Sequence, residues 1–380
     1  MTRLKKALIA TATLASLALV SLAIAISYNS PCTEPAPMAD AATPMRGITY
    51  RCYGPPEVLK LEQLAKPVAE ADQVLVKVHA AAVNPLDWHY MRGEPYVMRL
   101  GSGFGAPDNT RLGVDFSGTV EAVGSAVTRF KPGDEVYGGR SGALADYVVV
   151  GEDRAIVRKP ANVSHEQAAA VPIAAVTALQ GLRDQGKLTP GQKVLINGAS
   201  GGVGTFAVQI AKSLGAEVTG VCSTRNVELV RSLGADRVVD YTQEDFTAGE
   251  PGYDLILDNV GNRSLADLRR ALKPTGKLVI VGGPSSNAWL GPLVQVIKAS
   301  VMAPFVDQEM GMFVAELNAA DLEILGDLMR DGKLRSVIDR RFTLEDAPTA
   351  IEYLESGRAR GKVLIIVDAD PAPGNLPAIR

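Results

Sequence analysis

The sequence predicts an α/β protein in which a doubly wound parallel sheet is joined to a β-rich domain. Three observations predict it. A strand, a glycine turn, a helix and a second strand follow one another from Gly191 to Asn226. Further αβ units come after that stretch. Short β-branched runs, broken by Gly and Pro turns, fill residues 45–160. Alternation of strand and helix favours a parallel sheet, and closely spaced short strands favour a β-rich unit.

The central unit is legible element by element. Lys193 to Asn197 is a short aliphatic run suited to a buried parallel strand. Gly198-Ala199-Ser200-Gly201-Gly202-Val203-Gly204 follows with no spacer. Phe206, Ile210 and Leu214 then recur at helical spacing, and Gly215 stands where a C-cap belongs. Glu217 to Cys222 is the next strand. Backbone without Cβ turns sharply and lets a pyrophosphate approach the first turn of the helix. Ser200, Gly201, Gly202, Val203 and Gly204 are therefore candidate dinucleotide contacts. Ala199 stands at the first glycine of G-x-G-x-x-G, a small departure. The plainer alternative is a sharp βα turn with no ligand.

The end of the second strand selects the cofactor. NAD-binding units place an acidic residue there for the ribose 2′-hydroxyl. Here the residues are Ser223, Thr224 and Arg225. No carboxylate repels a 2′-phosphate, and a hydroxyl and a guanidinium can bind one. NADPH is the expected cofactor. The alternative makes Arg225 a solvated residue at a helix start.

The runs ASGGVGTFAVQIAKSLGAEV, LGADRVVDY and DNVG resemble the medium-chain dehydrogenase/reductase superfamily. The chain is most similar to its zinc-independent quinone oxidoreductase-like branch, which includes reticulon-4-interacting-protein-like enzymes. The resemblance runs from about Met45 to Asp368. LGVDFSGTVEAVGSAVTRFKPGDEVYG resembles the GroES-like domain of that superfamily, so the β-rich unit is expected to take that fold. The resemblance implies that Thr177 lies near the nicotinamide and Tyr241 near the adenosine phosphate. It also brings Lys362, with Arg358 or Arg360, to the cofactor. A helical Thr177 bonding its own backbone is the alternative there.

The resemblance also places a zinc triad of alcohol dehydrogenases at Asn84, Val114 and Ile173. Val and Ile cannot bind zinc, so no catalytic metal is expected. Catalysis then rests on placing an acceptor against the hydride donor and hydrogen-bonding its oxygen. Asn84, Asp87 and His89 are the candidates. Asn84 is read as a donor to an amide or a substrate carbonyl. Asp87 is a candidate for the same environment or a loop-structuring acceptor. His89 is a proton donor or a packing residue beside Trp88 and Tyr90. Asn259 and Gly282 end two later strands, where doubly wound sheets bind ligands.

Net charge is −3, so nucleic acid is not an expected partner. The three cysteines form no CxxC pair, which disfavours a disulfide framework and a structural zinc lobe. Arg3, Lys5 and Lys6 precede Ala7 to Ile26, a mostly apolar run expected to form a membrane helix. A cleaved signal peptide that exports the chain is the alternative. The basic cluster before the run places the N-terminus inside and the catalytic domains outside, which conflicts with a cytosolic nicotinamide cofactor and leaves the side of the membrane open. A proline-bearing linker follows, so deletion up to Thr43 is expected to remove a tether only. The expected divisions are 1–44 anchor and linker, 45–163 GroES-like catalytic domain, 164–305 Rossmann NADP-binding domain, and 306–380 return to the catalytic domain and tail.

The whole reads as an NADPH-dependent oxidoreductase on a membrane anchor. It passes hydride to a quinone or an α,β-unsaturated carbonyl. The lipid bilayer is an expected partner, and a homodimer is compatible with the apolar stretch Trp289 to Phe305. The rivals are a zinc-dependent alcohol dehydrogenase and a non-catalytic NADPH-binding protein that docks a membrane partner.

Overall fold

The computed structural model describes residues 3–35, 43–249, 251–283, 287–291, 293–302 and 305–368. Part of the expected linker and the tail after residue 368 lie outside the described residues. Strands β1 (Pro44–Thr49) and β2 (Lys60–Ala65) form an antiparallel pair. There follow β3 (Gln73–Val83), β4 (Asp115–Val123), β5 (Glu135–Gly139), β6 (Tyr147–Gly151) and β7 (Ile156–Arg158). The chain then runs through β8 (Lys193–Asn197), β9 (Glu217–Cys222), β10 (Arg237–Asp240), β11 (Tyr253–Asp258), β12 (Leu272–Ile280) and β13 (Glu309–Met312). It closes with β14 (Ile338–Thr343) and β15 (Lys362–Ile366).

The first sheet has the order β14-β15-β3-β4-β5-β7, with β6 also paired to β3. β3 is its axis, because it pairs antiparallel with β4, β6 and β15. Val74, Val76 and Val78 of β3 share a core with Phe116, Val120 and Val136. The β-branched alternation of that strand explains its place in the middle.

The second sheet has the order β10-β9-β8-β11-β12-β13, and every pairing in it is parallel. Chain order reverses between β8 and β11. Ligands of such sheets bind at the carboxyl ends of the strands beside that reversal. Helix Gly202–Ser213 packs Phe206 and Ile210 against Ala174, Ala175 and Ala178 of helix Pro172–Gln180. The helix expected over Ser164 to Leu182 is broken in two. His165–Ala169 ends before Pro172 opens the next helix, because proline has no N–H to continue the ladder.

Two expectations at the N-terminus are corrected. A helix does form over Arg3–Ser27, but among the described residues no helix is long and apolar enough to cross a membrane. Its end is docked on the β-rich domain, with Ile26 buried and Ile26 O accepting from Arg99 at 3.0 Å. The membrane localisation read from this run is corrected with it, and the lipid-bilayer partner loses its basis. The cysteines also depart from expectation, because Cys32 and Cys52 are joined by a disulfide. The chain after the helix lies on the β-rich domain, where Ser30 N donates to Gly105 O at 2.8 Å. That docking brings together two cysteines whose spacing carries no motif. Residues 26–32 are thus built into the domain and are more than a tether.

Candidate cofactor and active site

The glycine turn is shaped by close approach. A Cβ on Gly204 would lie 2.1 Å from the Gly198 carbonyl oxygen, so no side chain fits between strand and helix. Gly198 has a φ of +76°, which favours glycine. Gly201 is the N-cap of helix Gly202–Ser213, and no side chain caps it. The first-turn N–H groups are the donors that an anionic group needs.

The start of β15 is pinned to this turn. Gly361 N donates to Ser200 O at 2.9 Å, and Gly201 and Gly361 form a parallel bridge. Lys362 follows, and its Cδ lies 3.4 Å from where a Cβ on Gly202 would sit. The Lys362 stem therefore runs past the phosphate turn. Its side chain is 3 % exposed, and its ammonium reaches into the β-rich domain. There Nζ donates to Asn84 Oδ1 and, at 3.2 Å, to Asp115 Oδ2.

A buried polar network surrounds that ammonium. Asn84 Nδ2 donates to Asp115 Oδ2 at 3.0 Å, and Ile173 N donates to Asp115 Oδ1 at 2.9 Å. Asp115 is fully buried. Burial pushes its carboxyl up, while Lys362 and then Asn84 oppose the rise. Asn84 points its oxygen at the ammonium and its nitrogen at the carboxylate. Both ends of its amide are used inside the network, in place of a bond to a substrate carbonyl. Asp87 accepts from Asn84 N at 2.7 Å and Gly113 N at 3.1 Å, which is the loop-structuring geometry. Burial pushes its carboxyl up to about 7.

The other candidates fall into place around this core. His89 is tied to the backbone through Nδ1 and Glu94 O at 2.6 Å, and its ring stacks on Trp88 at 3.6 Å. Burial lowers its imidazole pKa. Thr177 Oγ1 donates to Ile173 O at 2.7 Å, a bond within its own helix. Asn259 Nδ2 donates to Asn197 O, and its Oδ1 is buried without a hydrogen-bond partner. A Cβ on Gly282 would lie 2.4 Å from the Asn259 carbonyl oxygen, so these two strand ends touch.

The far end of the site is a cavity of ≈ 500 Å³ lined by Ser223, Thr224, Arg225, Tyr241, Gly357 and Arg358. Arg225 donates through NH2 to the Arg358 carbonyl at 2.8 Å, bringing the two residues together. Of the two arginines expected near the phosphates, Arg358 lines the cavity. Arg360 N instead donates to Asp339 Oδ2. Asn226 links the cavity to the glycine turn, because Nδ2 donates to Ser200 Oγ at 2.9 Å. Its Oδ1 is buried without a partner. The donors and basic groups of this cradle fit a phosphorylated dinucleotide.

Zinc does not fit. The positions corresponding to the triad hold Asn84, Val114 and Ile173. Among the described residues no group of three or more His, Cys, Asp or Glu side chains is placed to hold a metal.

Comparison with known proteins follows this geometry. The family "Alcohol dehydrogenase GroES-like domain" matches residues 70–161, and "Zinc-binding dehydrogenase" matches residues 233–365. The NADPH-dependent alkenal/one oxidoreductase, chloroplastic, of Arabidopsis thaliana is 35% identical over 347 residues, covering 86% of this chain and 81% of that protein. The chain belongs to the medium-chain dehydrogenase/reductase superfamily. The NAD(P)H oxidoreductase RTN4IP1, mitochondrial, of Mus musculus is 34% identical over 351 residues, covering 83% of this chain and 87% of that protein. The quinone oxidoreductase from Coxiella burnetii superposes with a TM-score of 0.75 at 33% identity, covering 86% of this chain and 100% of that one.

Sequence reading missed Asp115 and Asn226. Asp115 carried one signal, a carboxylate beside the apolar Phe116 at a strand start. Asn226 carried none, because it reads as an ordinary residue at a helix start.

Proposed function

We propose that this member of the superfamily is an NADPH-dependent reductase that passes a hydride to a quinone or an α,β-unsaturated carbonyl without a catalytic metal. The observation that carries the reading is the uncapped glycine turn joined through Gly361 and Lys362 to the Asn84–Asp115 network. The printed names of the relatives, an alkenal/one oxidoreductase and a quinone oxidoreductase, support the acceptor classes. Bound NADPH supplies the hydride.

The residues of this chain do the rest. The first-turn N–H groups after Gly201 hold the pyrophosphate. Ser223, Arg225 and Arg358 receive the 2′-phosphate, and guanidinium–phosphate pairing is strong and directional. Lys362 ties the phosphate turn to the β-rich domain, its stem beside Gly202 and its ammonium on Asn84 and Asp115. Asp115 and Asn84 hold that ammonium in place. Asp87 fixes the loop that carries Asn84. Pairing of two copies belongs to the same reading, on the exposed Trp289, Ile297, Val301 and Phe305 of the apolar stretch.

Val114 and Ile173 offer no donor for zinc, which weighs against the alcohol dehydrogenase alternative. The test is steady-state NADPH oxidation with a panel of quinones and enones, run with and without chelator, together with metal analysis. Turnover of at least one class, unaffected by chelator, is expected. NADPH binding with no turnover of either class supports a non-catalytic protein instead. Stoichiometric zinc lost together with activity refutes the metal-free mechanism.

A further inference from the structure

One buried side chain near the site has no part in the mechanism above. Arg99 is 1 % exposed. Its guanidinium donates to Gly93 O at 2.7 Å and Arg92 O at 3.2 Å. It also donates to Ile26 O at 3.0 Å, Tyr28 O at 3.1 Å and Asn29 Oδ1 at 2.8 Å. The Tyr53 and Tyr96 rings lie 4.2 Å and 4.7 Å from it, at cation–π distance. Gly93 has a φ of +61°, and a Cβ there would lie 2.6 Å from Arg99 Nε. Only glycine leaves room for the guanidinium.

Three parts of the chain meet at this cation. The first is the end of the N-terminal helix, whose last carbonyls suit a positive charge. The second is Tyr53, beside Cys52, which is bonded to Cys32. The third is Tyr96, which leads across the molecule. Tyr96 N donates to Ala288 O at 2.7 Å, and Val97 N donates to Trp289 O at 3.1 Å. The Tyr96 and Trp289 rings meet edge-on at 5.2 Å. Ala288 and Trp289 come after β12 of the parallel sheet. Tyr96 comes just after helix Pro85–Arg92, which carries Asp87 and His89. The contacts therefore bridge the two domains beside the candidate site.

We infer that Arg99 is a positioning residue for the acceptor. It holds residues 96–98 against residues 288–289 as a wall across the two domains, and the acceptor sits against that wall. The segment from Ile26 to Cys32, fastened by the Cys32–Cys52 bond, supports that wall. The inference rests on the reductase reading of the cleft. Arginine suits the role because its planar group offers five donors, whereas lysine offers three on a point charge. A dithiol that reduces the Cys32–Cys52 bond gives up two electrons and two protons, leaving two cysteine thiols and becoming a disulfide itself. That step removes the covalent fastening and leaves the Arg99 bonds in place.

The test uses the full chain. Wild type, Arg99→Met, Arg99→Lys and Cys32→Ser are compared for NADPH binding by nicotinamide fluorescence. They are also compared for kcat and KM with a quinone that the wild type reduces. NADPH affinity should stay within about twofold, and kcat should change little. The acceptor KM should rise about tenfold in Arg99→Met, less in Arg99→Lys, and about threefold in Cys32→Ser. A purely structural role would move NADPH affinity and acceptor KM together, and that result would overturn the inference. An unchanged acceptor KM in Arg99→Met and Cys32→Ser would also overturn it. If Arg99→Met does not fold, an unchanged KM in both Cys32→Ser and dithiothreitol-treated wild type has the same force. A wild type that fails to bind NADPH refutes the reductase reading itself, and the inference with it.

Discussion

Replacing Asp87 by Asn should change the slope of stability against pH between pH 4 and 7. Asp87 is 2 % exposed, and burial pushes its carboxyl from the usual 3.8 up to about 7. The N–H of Asn84 opposes the rise and the Asp115 charge adds to it. A folded-state value above the unfolded one means that the folded chain keeps a proton which the unfolded chain has released. Stability from this group is thus fully present below about pH 4 and is lost as pH rises to about 7. At about 1.4 kcal/mol per pH unit, the whole loss is about 4 kcal/mol. His165 acts in the opposite sense. Burial, then the charge of the His79 ring, lowers its imidazole pKa from 6.5 to about 4. Its contribution is present above about pH 6.5 and is lost as pH falls through about 4. The wild-type profile is therefore flattened by two opposed slopes, and the informative quantity is variant minus wild type. Thermal melts at closely spaced pH values should show that difference rising from pH 4 to 7 by several degrees, at about 2–4 °C per kcal/mol for domains of 150–250 residues. A difference profile with no slope would refute the reasoning about Asp87.

Arg225→Ala should weaken NADPH binding about tenfold and leave NADH binding unchanged. Titration of nicotinamide fluorescence checks this, and an equal loss for both cofactors would count against the 2′-phosphate site. Lys362→Met leaves the Asp115 carboxyl buried without its cation, which costs about 3–5 kcal/mol for such pairs. Urea unfolding should show it, and adding Asp115→Asn should recover part of the loss. Deletion of residues up to Thr43 should lower the melting temperature, because Arg99 loses the acceptors of Ile26, Tyr28 and Asn29. Hydrogen bonds to charged groups are worth about 1.5–3 kcal/mol each. A truncated protein that melts with the full chain would show those bonds to be neutral.

What sequence could reveal followed the range of the interactions. The unit from Lys193 to Cys222 was legible because its glycines and helical spacing are local signals. The strand–helix alternation pointed to a parallel sheet but not to its strand order, so the unit's place beside β11 and β10 was not legible. The Lys362–Asn84 contact joins residues 278 positions apart, and no periodicity encodes it. Lys362 was flagged through family resemblance, but its partner Asp115 was not. The docked N-terminal segment was misread for a different reason. Arg99 grips the carbonyls of Ile26 and Tyr28, and backbone acceptors leave no mark on side-chain composition. The apolar run before them therefore dominated the reading. The cysteine pair was missed because its spacing matches no motif, and only the docking brings the two together.

The bridge between Gly201 and Gly361 has a consequence for biosynthesis. A ribosome finishes the whole glycine turn long before it reaches β15. Until then the nascent chain can fold its parallel sheet, but Ser200 has no Gly361 and Asn84 has no Lys362. β3 meanwhile lacks its β15 neighbour, so one edge of the first sheet stays open. A chain stopped at Gly357 should resemble a stalled translation product, with a formed parallel sheet, a loose cofactor turn and an exposed, aggregation-prone strand edge.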